Sequence, residues 1–119
     1  MNFSDSDNTL PIEITTADQS TIFKPVGDID MSRSPHLRTA LAEVQRPAPD
    51  KRIIINLEEV PYMDSSGVAT LVEAMQIARK HGGQIKLCNL NQRVLSIIEI
   101  ARLDTIFKIY PTLEDAVNS

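Results

Sequence analysis

Short apolar runs alternate with longer amphipathic stretches along this chain, and the two patterns predict different elements. The short runs are rich in β-branched residues, which is typical of strands. They lie at residues 10–16, 21–26, 52–57, 84–88 and 105–110. The third run holds consecutive isoleucines, Ile53 to Ile55, without alternation, as expected of a central strand that is covered on both faces.

Four stretches repeat apolar residues at intervals of three and four, the spacing of one buried helix face. In the second stretch the repeat consists of Val68, Leu71, Val72 and Met75. The predicted order is β-β-α-β-α-β-α-β-α, in which the first two strands form a hairpin and strands separated by a helix pair in parallel. We therefore expect a single α/β domain with a mixed sheet of about five strands and about four helices, mostly on one side.

Polar residues mark where these helices begin. Ser34 is the predicted N-cap of the first helix, because it is followed by Pro35, and proline is tolerated in a first helical turn. Asn89 or Asn91 is expected to cap the third helix. Thr112 is expected to cap the last one, in a capping box with aspartate in the place of the usual glutamate.

The stretch from Val60 to Val68 joins the central strand to the second helix and contains the candidate chemistry. Ser65 and Ser66 lie where the exit loop of the strand turns into the helix. The first N–H groups of a helix lack intrahelical partners and carry the positive end of its dipole, which favours an anion. A phosphoryl group on Ser65 suits this position and is expected to accept hydrogen bonds from the following turn. The alternative is that one side chain of Asp64, Ser65 and Ser66 only N-caps the helix.

Length, charge and composition exclude several classes of protein. At 119 residues the chain is expected to form one domain, residues 10–119, preceded by a flexible polar tail, residues 1–9. The formal charge is −4 and the basic residues are scattered, so we expect no direct binding of nucleic acid. No apolar run is long enough to insert into a membrane, and the N-terminus lacks the pattern of a signal peptide, which favours the cytoplasm.

Catalytic and metal chemistry find little support in the sequence. A hydrolase would need a base beside Ser65, but about sixteen helical residues separate it from His81 by roughly 24 Å. His36 remains as a base in principle, yet the glycine of a nucleophile elbow is missing two residues before the serine. The single cysteine, Cys88, is expected to be a buried strand residue. Two histidines and one cysteine without ligand spacing predict neither a metal site nor a cofactor, and we expect no enzyme activity.

Three motifs stand at the predicted junctions between strands and helices. They are Gly27-Asp28-Ile29-Asp30, Met63-Asp64-Ser65-Ser66-Gly67, and Gly82-Gly83 leading into Leu87-Cys88-Asn89-Leu90. With the order of elements, they resemble the STAS domain of bacterial anti-sigma factor antagonists over roughly residues 12–117. The middle motif is the most specific. Two positions depart from the family pattern: Asp28 stands where glutamate is usual, and Arg102 where the family has the glycine of a left-handed cap.

The resemblance implies a transcription regulator that works by partner switching. In that family the first serine after the aspartate is phosphorylated by a partner of the GHKL ATPase type, which is both serine kinase and anti-sigma factor, and a serine phosphatase removes the phosphate. The unphosphorylated form binds this partner and releases a sigma factor. The matching phosphoacceptor is Ser65. The expected partner-binding residues are Asp28, Asp30, Asp64, Ser66, Gly67 and Val68.

Added charge accounts for such a switch. A phosphoryl group brings about −1.5 to −2 charge next to Asp64, and the sheet topology is expected to bring Asp28 and Asp30 near it. An interface over the helix start then weakens by repulsion and desolvation, and each tenfold loss of affinity corresponds to about 1.4 kcal/mol. An alternative function within the same family is an accessory subunit of a lipid-transport ABC system, docked on its ATPase. A stressosome-like scaffold is a third.

Overall fold

The elements of the chain follow the order predicted from its sequence. The computed structural model describes residues 9–119, so the predicted tail lies outside the described residues except for Thr9. The strands are β1 (Ile12–Ala17), β2 (Ser20–Pro25), β3 (Arg52–Asn56), β4 (Gln84–Cys88) and β5 (Lys108–Tyr110). The α-helices are α1 (Ser34–Gln45), α2 (Ser65–Lys80), α3 (Gln92–Ile100) and α4 (Leu113–Asn118), and a short 3-10 helix, Leu103–Thr105, precedes β5.

The five strands form one sheet in which each strand lies beside its neighbour in the chain, from β1 to β5. β1 and β2 are an antiparallel hairpin, and the remaining neighbours are parallel. In the middle of the sheet, Ile54 of β3 is paired with Ile22 on one side and Lys86 on the other. The mixed sheet and the central place of β3 are thereby confirmed.

The sheet separates a large apolar core from a small one. Helices α1, α2 and α3 cover one face, and their apolar residues form a continuous core with Ile53 and Ile55. Helix α4 covers the other face, where Ile54 packs with Ile22, Cys88 and Ala116. Successive residues of β3 therefore point into different cores, which explains a strand without polar alternation. Three helices on one side and one on the other confirm the expected arrangement.

A buried lysine ties α4 to the sheet. Lys86 of β4 donates from Nζ to the carbonyl oxygen of Ala116 (3.1 Å), and to the main-chain oxygen and hydroxyl of Ser119 (3.2 and 2.8 Å). Its Nζ also lies 5.7 Å from the centre of the Tyr110 ring. The ammonium group is thus surrounded by acceptors and a π face, which compensates for its removal from water.

The prediction that Ser34 caps α1 is wrong. Ser34 is the first helical residue and is buried, and Arg33 holds the N-cap position without a side-chain cap bond. Asp30 holds the turn before the helix instead: its Oδ1 accepts from the N–H groups of Ser32 (3.0 Å) and Arg33 (3.1 Å). Pro35 does lie in the first turn, as the sequence predicts.

The other predicted caps hold. Of the two asparagines, Asn91 caps α3 by accepting from the N–H of Val94 at 2.8 Å, while Asn89 has a φ of 58°. Thr112 caps α4 through a bond of 3.1 Å from the N–H of Asp115. After α3, Arg102 adopts the left-handed conformation, with φ 62° and ψ 26°, that a glycine would provide in the family pattern.

Candidate functional site

Two loops meet at the amino-terminal end of α2. One connects β2 to α1, and the other connects β3 to α2. The N–H of Ile29 donates to the carbonyl oxygen of Tyr62 (3.0 Å), and the N–H of Asp64 donates to the carbonyl oxygen of Ile29 (3.1 Å), which makes an isolated parallel bridge between Ile29 and Met63. The first two sequence motifs are therefore joined through their main chains.

The aspartates Asp28 and Asp30 flank this bridge, so the predicted approach of their loop to the helix start is correct. Asp28 is exposed. Asp30 is half-buried, and its Oδ1 accepts from the Ser32 hydroxyl at 2.7 Å as well as from two N–H groups. The bond from the Ser32 hydroxyl is the main cause that lowers the pKa of Asp30 below its ordinary value. Asp30 thus shapes the turn that follows it.

Asp64, rather than a serine, caps α2. Its Oδ1 accepts from the N–H of Ser66 (2.9 Å), the N–H of Gly67 (3.3 Å) and the hydroxyl of Ser66 (2.5 Å). The carboxylate therefore satisfies two donors of the first turn and lies at the positive end of the helix dipole. Of the three side chains considered for the N-cap, Asp64 therefore holds it and the two serines do not.

The two serines differ in their surroundings. Ser66 is half-buried and its hydroxyl is held by Asp64. Ser65 is exposed at the first position of α2, and its hydroxyl has no hydrogen-bond partner among residues 9–119. In the chain without a phosphoryl group, the N–H groups of Ser66 and Gly67, which the sequence offers to a phosphate on Ser65, are bonded to Asp64.

Gly67 and Val68 contribute little surface. Val68 has 7% of its surface exposed, and Gly67 is buried against the bridge. A Cβ added to Gly67 would lie 2.6 Å from Cγ of Met63 and 2.9 Å from Cγ2 of Ile29. Only glycine allows α2 to start this close to both loops, so these two predicted partner-binding residues support the site from beneath.

Helix α3 holds the second loop from the other side. The side-chain amide of Asn91 donates to the carbonyl oxygens of Val60 (3.2 Å) and Pro61 (3.1 Å). The guanidinium of Arg93 lies 5.5 Å from the centre of the Tyr62 ring. The loop that presents the serines is thus fixed at several points before α2 begins.

Met31 is a feature of the site that the sequence analysis did not identify. It lies in the turn directly after Asp30, and 76% of its surface is exposed. The signal in the sequence is a single large apolar residue inside a polar loop, which by itself is unremarkable because isolated apolar residues are common on protein surfaces.

A groove between α1 and α2 opens near Ser65. Its volume is about 360 Å³, and its lining residues are Ser34, Pro35, Arg38, Thr39, Ala69, Thr70 and Glu73. Arg38 and Glu73 bridge it with two bonds, of 2.6 and 2.8 Å. Ala69 is exposed one helical turn after Ser65, so the groove and the serine share one face of α2.

His81 and Cys88 lie away from Ser65. His81 follows the carboxyl end of α2, where its Nδ1 is 3.0 Å from the carbonyl oxygen of Ile77. Cys88 is a buried strand residue, as predicted, and burial raises the pKa of its thiol to about 11, with a further contribution from Glu58. Within residues 9–119, no three His, Cys, Asp or Glu side chains are grouped so as to hold a metal ion. No helix in that range is both long and apolar enough to cross a membrane.

Comparisons with known proteins agree with this fold and these motifs. The family model described as the STAS domain matches residues 11–116. The anti-sigma-B factor antagonist of Bacillus subtilis (strain 168) is 35% identical over 91 residues, which cover 76% of this chain and 82% of that protein. The chain therefore belongs to the STAS domain family, in its group of anti-sigma factor antagonists.

Solved structures show the same architecture. The crystal structure of an anti-sigma factor antagonist from Mycobacterium paratuberculosis has a TM-score of 0.83 and 25% identity, with 93% of each chain covered. The Bacillus cell fate determinant SpoIIAA in its phosphorylated form has a TM-score of 0.71 and 19% identity, with 91% of this chain and 97% of that chain covered. At 19% identity, the similarity to SpoIIAA shows a shared fold only.

Proposed function

We propose that this chain is an anti-sigma factor antagonist that phosphorylation of Ser65 switches off. In its unphosphorylated form it binds an anti-sigma factor that is also a serine kinase of the GHKL ATPase type, and a sigma factor is released. A serine phosphatase restores the binding form. The observation that carries the proposal is the state of the two serines: the Ser65 hydroxyl is exposed and unbonded within the described residues, whereas Ser66 is held by Asp64.

The names of related proteins support the proposal. The Bacillus subtilis relative is named for antagonising the anti-sigma-B factor. SpoIIAA, which shares this fold, has been solved in both unphosphorylated and phosphorylated forms. A protein of this architecture therefore accommodates a phosphate.

The geometry suggests why a phosphate would weaken binding. The Asp64 carboxylate occupies the N–H groups of Ser66 and Gly67, so these donors do not compensate the new charge. A phosphoryl group of about −1.5 to −2 charge would then stand beside Asp64 and face any docked protein. Burying that charge without a partner group opposes association, and like charges on the partner would add repulsion.

The residues proposed to meet the partner divide into two sets. Asp64 and Ser66 flank Ser65 in the chain and are partly exposed, and Asp28 is exposed on the loop bridged to theirs, with Asp30 shaping the adjoining turn. Gly67 and Val68 act indirectly, because they are buried and hold α2 against the bridge between the loops.

Phosphorylation of purified protein tests the acceptor. Wild type, Ser65→Ala and the matched control Ser66→Ala are incubated with ATP and the anti-sigma factor kinase from the same organism, with the Bacillus subtilis anti-sigma-B factor as a second probe. We expect mass spectrometry to find one phosphate on Ser65 in the wild type and in Ser66→Ala, and none in Ser65→Ala. Phosphate that persists in Ser65→Ala would refute the assignment.

Binding measurements test the switch itself. Ser65→Ala should bind these anti-sigma factors whether or not ATP is present, and Ser65→Asp should bind at least about tenfold more weakly, which corresponds to about 1.4 kcal/mol. Asn118→Asp adds the same charge on α4, across the sheet, and should bind like the wild type. If Ser65→Asp and Asn118→Asp weaken binding equally, the location of the added charge does not matter, and the proposal is contradicted.

A further inference from the structure

One large apolar side chain in the loop that is bridged to the phosphoacceptor loop is mostly exposed. Met31 has 76% of its surface exposed, while the methionines Met63 and Met75 are buried, with 0% and 7% exposed. The exposed residue lies two positions after Ile29, which is bridged to the loop that leads into α2. Its side chain is therefore at the same end of the molecule as Ser65.

The turn that presents Met31 is held on both sides. Before it, the main chain of Ile29 is bonded to the second loop through its N–H and its carbonyl oxygen. After it, Asp30 Oδ1 accepts from the N–H groups of Ser32 and Arg33 and from the Ser32 hydroxyl. A side chain on such a pre-formed turn loses little additional backbone freedom on binding, which favours its use as an anchor.

Carboxylates outnumber basic groups in the segments that flank this side chain. Asp28 is exposed on the same loop, Asp30 directly precedes Met31, and Asp64 follows the bridged Met63, whereas Arg33, which helps to lower the pKa of Asp30, is the basic residue of the turn. An apolar centre with an acidic edge is complementary to an apolar pocket with a basic edge. A basic pocket edge would be attracted to these carboxylates, whereas an acidic one would be repelled by them. The charge of the edge therefore favours a basic partner surface over an acidic one.

We propose that Met31 is the apolar anchor of the partner surface, and that it enters an apolar pocket edged by Lys or Arg on the anti-sigma factor. The inference rests on the proposed function and adds to it: Ser65 decides when the partner binds, and Met31 supplies affinity in the binding form. Methionine suits this use because its unbranched thioether adapts to the shape of a pocket.

Substitutions test the anchor directly. The probes are the anti-sigma factor of the same organism and the Bacillus subtilis anti-sigma-B factor. Met31→Ala should weaken binding at least about tenfold, the loss typical of an interface hot spot, and Met31→Leu should stay within about threefold of the wild type because it keeps the apolar volume. Ile100→Ala is the matched control: Ile100 is 82% exposed but ends α3, and its loss should leave binding unchanged.

Oxidation by hydrogen peroxide is a second test, which changes the Met31 side chain without shortening it. The sulfur of Met31 takes one oxygen from hydrogen peroxide: the O–O bond breaks, an S–O bond forms, and water leaves, so the side chain becomes a polar sulfoxide. Exposure predicts that Met31 is oxidised well before Met63 and Met75, as peptide mass spectrometry would show. Treated wild type should lose binding, and treated Met31→Leu should retain it.

The outcomes separate this inference from the proposed function. If Ser65→Asp loses binding while Met31→Ala binds within about twofold of the wild type, the anchor is wrong and the switch stands. If Met31→Leu is as weak as Met31→Ala, apolar contact does not explain the loss and the anchor is again wrong. If neither probe binds the wild type, the proposed function fails, and the inference falls with it.

Discussion

Ile29 and Met63 are joined by a parallel bridge between two loops, and the side chains of both lie against Gly67 at the start of α2. Two segments that are distant in sequence, the loop around Ile29 and the stretch from Met63 to Gly67, thus form one unit. Ser65 stands on this unit without taking part in its hydrogen bonds. The contacts that hold the start of α2 in place therefore do not involve the Ser65 hydroxyl, the group proposed to be phosphorylated.

Replacement of Gly67 should damage that unit. In Gly67→Ala the new Cβ would approach Cγ of Met63 to 2.6 Å, so one of the loops must move. Overpacking of this kind costs about 1–3 kcal/mol, and the better helix propensity of alanine returns about 1 kcal/mol at most. We expect a net loss of stability in urea unfolding, together with weaker partner binding. A variant as stable as the wild type would show that the contact is not tight.

The buried ammonium of Lys86 should control α4. Lys86→Met removes the bonds to Ala116 and Ser119 while keeping an apolar chain of similar length. We expect the free energy of unfolding to fall by about 1–3 kcal/mol. Amide hydrogen exchange in residues 113–118 should become faster than in the wild type, by a larger factor than in β3. The matched control is Lys108→Met, since Lys108 pairs with Lys86 in the sheet but is exposed, and it should change stability by less than about 0.5 kcal/mol. Unchanged exchange in Lys86→Met would contradict the role of the ammonium as a tether.

Stability should fall at alkaline pH because of Cys88. The pKa of its thiol is raised to about 11 in the folded protein, above the value of the unfolded chain. As pH rises between the two values, the unfolded chain releases the proton and the folded protein keeps it, so the free energy of unfolding decreases, by up to about 1.4 kcal/mol per pH unit. Cys88→Ala should lack this component. Parallel denaturation of both proteins from about pH 8 to about pH 10.5 checks it, and identical slopes would refute it.

The left-handed residue after α3 offers a stabilising substitution. Arg102 has a φ of 62°, which glycine adopts without the steric penalty of a Cβ. Arg102→Gly should therefore raise the free energy of unfolding by about 0.5–1 kcal/mol, after the entropy of the unfolded chain is included. The adjacent Ala101, with φ −79°, is the control, and Ala101→Gly should lower stability instead. Two changes of the same sign would mean that Arg102 is unstrained.

Periodicity and local caps were enough to predict most of the fold, but the start of α1 shows their limit. The pair Ser34-Pro35 is a sound local signal, and the helix does begin there. No side chain caps α1, however: Asp30 accepts from the N–H groups of Ser32 and Arg33 before the helix, in a loop that the bridge at Ile29 ties to the second loop. That tertiary contact leaves no mark in the local sequence.

The last strand shows a similar limit. Residues 105–110 have the composition of a strand, yet only Lys108–Tyr110 pair with β4. The N–H groups of Ile106 and Phe107 donate to the carbonyl oxygen of Leu103 in the 3-10 turn and are not available to the sheet. Phe107 is nevertheless buried, so its apolar side chain indicates a core position and not a strand residue.

For the site, the sequence was sufficient to predict which loops meet but not how their hydrogen bonds are shared. Asp64, Ser65 and Ser66 are all capable caps, and only the geometry assigns the cap to Asp64. Met31 could not be identified either, because its interest depends on its exposure and on the bridge beside it.

The order of the sheet has a consequence for biosynthesis. Because each strand lies next to the one before it in the chain, a polypeptide leaving the ribosome can add strands at one edge of the growing sheet without waiting for distant partners. Helix α4 is the exception, since Ile22, Ile54 and Cys88 lie on the face that it covers. Those side chains remain uncovered until residues 113–118 have left the ribosome, so this small face is the last part of the sheet to be buried during synthesis.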